Sequence, residues 1–62
     1  MGQTKRKAAP QVILYSTTLH CWEVWQQGRP LAQGSLEACQ QAYPDAFPVS
    51  DRQRRLAAED AR

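Results

Sequence analysis

Leu19-His20-Cys21-Trp22-Glu23-Val24-Trp25, then Gly28-Arg29-Pro30, then Leu31-Ala32-Gln33-Gly34, then Ser35-Leu36-Glu37-Ala38-Cys39 follow one another in the middle of this 62-residue chain. The first run holds Trp22, Val24 and Trp25 and reads as a strand that follows the β-branched and aromatic run Val12–Thr18. Gly28 supplies the positive φ of a tight turn, and Pro30 suits a rim or an edge strand. Ser35 is a strong helix N-cap, with Glu37 placed at the positive end of the helix dipole. The stretch therefore reads as a β-hairpin folding onto a short helix.

Working outward, Val12–Thr18 is a second β-rich run, with Ser16, Thr17 and Thr18 as its reversal. The reading is an antiparallel three-stranded sheet with strands near 12–18, 20–27 and 30–33. Leu36, Cys39 and Tyr43 recur at i, i+3 and i+7, the spacing of one apolar helix face. Pro44 disfavours helical geometry at Tyr43, so this helix is expected over about 36–43. Ala46-Phe47-Pro48-Val49 reads either as a short fourth strand or as a loop with Phe47 plugging the core. Ser50-Asp51-Arg52-Gln53 is a capping box that opens a C-terminal helical segment over 50–62. Leu56 is that segment's one large apolar side chain, so it is expected to be helical mainly when bound to something.

The fold class is thus α+β. The expected organisation is a disordered basic arm over 1–10, a ββ(β)α domain over 11–49, and the segment 50–62. The expected core is Val12, Ile13, Leu14, Leu19, one or both tryptophans, Val24, Leu31, Leu36, Tyr43 and Phe47. A chain this short buries only about 60% of the surface its unfolded form exposes, so dimerisation or partner docking would stabilise it. No apolar run approaches the ~20 residues of a membrane span, and no signal-peptide core follows the basic start. No membrane partner is expected, and the expected compartment is the cytoplasm. Two cysteines are too few for a disulfide framework, so both are expected as thiols.

The chain offers little chemistry. His20 and Cys21 are neighbours on a strand and point to opposite faces, so they make a poor nucleophile–base pair. His20, Cys21 and Cys39 are at most three soft ligands and include no Cys-x-x-Cys knuckle for zinc. Glu23, Glu37 and Asp45 sit on three different elements, and no Gly-rich phosphate loop is present. The expectation is a non-enzyme without metal or cofactor.

Binding is the stronger reading. Trp22 and Trp25, three apart, face opposite sides of one strand. Trp22 shares its side with Val24 and is the core candidate, which leaves Trp25 exposed unless a partner covers it. Large rigid tryptophans are enriched at interface hot spots. The expected partner surface is Trp25 with Tyr15, Arg29, Arg52, Arg54 and Arg55, and the expected function is protein–protein contact as an inhibitor or adaptor. A second copy of the chain is one such partner. The alternative is a nucleic-acid-binding regulator that uses its basic ends, Lys5, Arg6 and Lys7 with Arg52 and Arg55. The net charge of +2 hides this division, because the middle of the chain is mildly acidic.

Over residues 19–49, the order of strand, turn, strand, capped helix and Tyr43-Pro44 is similar to that of many short phage and mobile-element proteins. It also resembles the sheet-plus-helix modules at the front of tyrosine recombinases, and small phage inhibitors of bacterial RNA polymerase. The recombinase resemblance implies basic residues on the sheet, where Arg29 stands alone. These shared signals are generic and define no family.

Overall fold

The computed structural model describes residues 9–62. Three strands, β1 (Val12–Ser16), β2 (Cys21–Gln26) and β3 (Arg29–Gly34), precede two helices, α1 (Leu36–Ala42) and α2 (Asp51–Asp60). The strands form an antiparallel meander in the order β1-β2-β3. This is the expected α+β fold. Among the described residues, no helix is long and apolar enough to cross a membrane. Most of the basic arm expected over 1–10 lies outside the described residues.

The turns explain the strand ends. Ser16 Oγ accepts a hydrogen bond from the Leu19 N–H at 3.0 Å, and His20 takes a left-handed φ of 59°. The first reversal therefore occupies 17–20, and β1 stops two residues earlier than its β-branched run suggests. Gln27 and Gly28 both have positive φ, 52° and 74°. That pairing matches the right-handed sheet twist in a two-residue hairpin. On β3, Ala32 opposes Val24 while Pro30 opposes Trp25, so Leu31 is the extra residue of a bulge. Bulges and prolines both belong on edge strands, where no ladder bond is lost.

Each helix starts at a serine. Ser35 Oγ accepts from the Ala38 N–H at 3.1 Å, and Ser50 Oγ accepts from the Gln53 N–H at 3.3 Å. Tyr43 sits at φ −131°, outside the helix, as the residue before a proline should. Both helices lie on one face of the sheet. α1 touches all three strands, and α2 lies against β1.

The core between them is Ile13, Trp22, Val24, Cys39 and Val49, with Val24 wholly inaccessible to solvent. Tyr15, Ala32, Leu36, Tyr43, Ala46 and Ala57 pack around it. Four expected core residues are exposed instead: Leu14, Leu19, Leu31 and Phe47. Leu19 is in the turn, Leu31 is the bulged residue, and Leu14 alternates onto the uncovered face. Residues 46–49 form no strand. The Phe47 N–H donates to the Gln11 carbonyl at 3.0 Å, which holds Phe47 at the rim and seats Val49 in the core in its place.

Replacing Val24 by Ala should cost about 2 kcal/mol, the lost methyls plus the cavity they leave. In a domain of this size that lowers Tm by roughly 10 °C. Phe47→Ala should cost less than about 1 kcal/mol. Urea unfolding of the two variants checks this, and equal losses would put Phe47 in the core.

Candidate functional site

Alternation along the strands sends Ile13, Tyr15, Trp22 and Val24 beneath the helices. Val12, Leu14, Cys21, Glu23, Trp25, Pro30 and Gln33 go to the other side. No described helix covers that second face. Val12, Trp25 and Pro30 are direct cross-strand partners, so one row of the face is apolar throughout. The next row is Leu14, Glu23 and Gln33. Trp25 is half-buried and less exposed than its position suggests. Its indole Nε1–H donates to Glu23 Oε1 at 3.0 Å, two residues back on the same strand and face. That bond satisfies the indole's polar edge and orients the ring along β2.

The apolar surface continues past the edge of β1. A shallow groove of about 210 Å³ there is lined by Val12, Ile13, Leu14, Phe47 and Pro48, with Ser50 and Gln53 from the start of α2. Phe47 is 56% exposed. Trp25, Val12, Leu14 and Phe47 thus make a band from the sheet centre round to its rim.

The other anticipated partner residues do not join this band. Tyr15 lies on the helix side, its ring edge-on to Trp22 at 5.3 Å between centroids. Arg29 pairs with Gln26 at the mouth of the hairpin, one step beyond Trp25 and on the opposite face. Arg52, Arg54 and Arg55 are exposed on α2, and among the described residues none is ion-paired. Lys5, Arg6 and Lys7 lie outside the described residues. The anticipated partner site, Trp25 included, is therefore divided among four places.

A cluster that the sequence reading missed ties α2 to the sheet. Asp60 Oδ2 accepts from the Tyr15 hydroxyl at 2.5 Å and pairs with His20 Nδ1 at 2.7 Å. The Tyr15 bond, then the His20 bond, hold the Asp60 carboxyl below its ordinary range. The same Asp60 bond, helped by burial and by the carboxylate's charge, raises the Tyr15 hydroxyl to about 12. Gln53 Oε1, two turns earlier on the same helix face, accepts from the Tyr15 N–H at 2.8 Å. Gln53, Ala57 and Asp60 fall at i, i+4 and i+7, so the docking stripe was present in the sequence. It is polar at both ends, and a search for apolar side chains passes over it.

This cluster orients an imidazole, which is one part of a hydrolytic triad. Catalysis also needs a nucleophile on the free nitrogen and a place for substrate. His20 stands out in solvent with a side chain 68% exposed, and none of the hydrogen bonds among the described residues brings a hydroxyl or thiol to its ring. The described residues hold no group of three His, Cys, Asp or Glu side chains placed to bind a metal. No family model, curated protein or solved structure matches the chain.

The two thiols differ in access. Cys39 is buried on the inner face of α1, and that burial, followed by the proximity of Cys21, pushes its thiol pKa up. Cys21 is half-buried on the uncovered face. A thiolate reagent should therefore label Cys21 in the native protein and reach Cys39 only after denaturant is added. Mass mapping of the alkylated cysteines reads this out, and early labelling of Cys39 would contradict the packing of α1.

Proposed function

We propose that this protein is a non-catalytic binding module that holds another protein against the uncovered face of its sheet. The observation that carries this reading is the placement of both helices on one side, which leaves the Trp25, Val12 and Leu14 rows covered by neither helix. Three strands about 4.8 Å apart and five residues long present a face of roughly 250 Å². A stable interface takes about 800 Å² from each partner. The contact must therefore extend to the rim, where Leu31 and Phe47 stand exposed at 38% and 56%. Glu23 is the one acid on the face, and it favours a donor group on the partner. Binding without chemistry is how an inhibitor or an adaptor acts.

A second reading rests on α2. Arg52, Arg54 and Arg55 lie towards its positive end, while Glu59 and Asp60 lie at its negative end with no base in the last turn. That order runs against the helix dipole. An anionic partner such as nucleic acid would relieve it, with Lys5, Arg6 and Lys7 adding phosphate contacts.

Affinity capture compares the readings with wild type, Trp25→Ala, Leu14→Asp and the triple arginine-to-glutamine variant, each checked for folding by circular dichroism. The binding face predicts a loss of about 2 kcal/mol for Trp25→Ala, roughly thirty-fold in affinity, and abolition by Leu14→Asp. Unchanged capture by both variants overturns it. The second reading predicts a mobility shift with random duplex DNA at low salt that fades as salt rises and is lost in the arginine variant.

A further inference from the structure

α1 and α2 are held by different means. α1 seats Cys39 in the core and touches all three strands. α2 has no buried side chain, and Leu56 and Ala57 are only half-buried. Its directional ties are three: Gln53 to the Tyr15 N–H, and Asp60 to the Tyr15 hydroxyl and to His20. All three end on β1 or on the turn after it. A helix of ten residues is marginal without packing, so α2 persists only while these ties hold.

We propose that α2 is a detachable cover, latched to β1 by Gln53 and Asp60, whose release leaves the sheet and α1 folded. Opening frees the Tyr15 N–H on the outer edge of β1 and exposes the Tyr15 ring with the adjoining edge of Trp22. A closed sheet edge becomes one that can pair, and the arginines of α2 swing away with the helix. Tyr15 and Asp60 lie on the helix side of the sheet, and Gln53 borders the rim groove of Phe47 and Pro48; the device stands whether or not Trp25 contacts a partner.

Two groups face Asp60: Tyr15 from β1 and His20 from the turn. Cys21, at the start of β2, acts on Tyr15 but not on Asp60. The signs bound the closed state. Asp60 lies below its ordinary value of 3.8, so its contribution is complete above that value and is lost as pH falls through the lowered one. Tyr15 is raised from 10.0 to about 12, so its bonded proton contributes fully below 10 and is lost as pH climbs towards 12. The Asp60 ties are therefore complete across neutral pH and are lost at either extreme, which leaves only the Gln53 tie there.

Amide hydrogen exchange on the full chain at neutral pH tests this with wild type, Asp60→Ala and Tyr15→Phe. The expected result is exchange across residues 54–60 about tenfold faster than at Trp22 and Val24 in wild type. Both variants should widen that gap by a further factor of about ten while β2 keeps its protection. Exchange of α2 and β2 at one common rate in wild type would make the chain a single cooperative unit and overturn the proposal. So would variants that leave α2 protection unchanged, or that lower β2 protection in step with it.

Discussion

A three-stranded sheet has two faces to dispose of, and the described residues hold helix enough for one. The helices are seven and ten residues long, and both are spent on the side of Ile13, Trp22 and Val24. Everything else in the structure answers to that shortage. Val24, at the centre of the central strand, is the one side chain among the described residues wholly removed from water, so the core is a single layer around it. The opposite side is left to a bent-over indole, a carboxylate and a row of small apolar residues. Trp25 reduces its own exposure by bonding to Glu23.

The strand order, the hairpin and the first helix were legible because each is written locally. Gly28 follows a residue that shares its positive φ, Ser35 caps, and Pro44 stops. The misplaced residues are those whose fate depends on distant partners. Phe47 is as apolar as any core residue, yet its backbone is drawn to Gln11, thirty-six positions away, and Val49 takes the interior. Leu31 loses its place in the alternation to a bulge that only pairing with β2 creates. Of the candidate site, Trp25 and its uncovered face followed from period-two patterning. The dispersal of Tyr15, Arg29 and the α2 arginines did not, because face and tertiary docking are settled after the strands pair.

Gln53 shows how such a choice is made. In sequence it is the fourth member of a capping box, whose side chain would reach back to the Ser50 backbone. In the folded chain its backbone N–H is capped by Ser50 and its side chain goes instead to Tyr15. A local bond is exchanged for one that anchors an element. Asp60 makes a similar exchange: a carboxylate at the negative end of a helix is unfavourable locally, and two donors from the sheet and turn make it useful.

The edges of the sheet carry a consequence for how the molecule meets others. On one side, Phe47 and Gln53 occupy the main-chain groups of Gln11 and Tyr15 that a foreign strand would seek. On the other, Pro30 removes a donor and the Leu31 bulge breaks the rhythm of those that remain. Open sheet borders are the templates on which small β-rich proteins join into fibrils, and here both are blunted by different devices. The chain can keep its helix-free face in water without polymerising along its rims. Any neighbour it accepts while closed must stack over that side as a separate layer, about 10 Å away, rather than extend the ribbon.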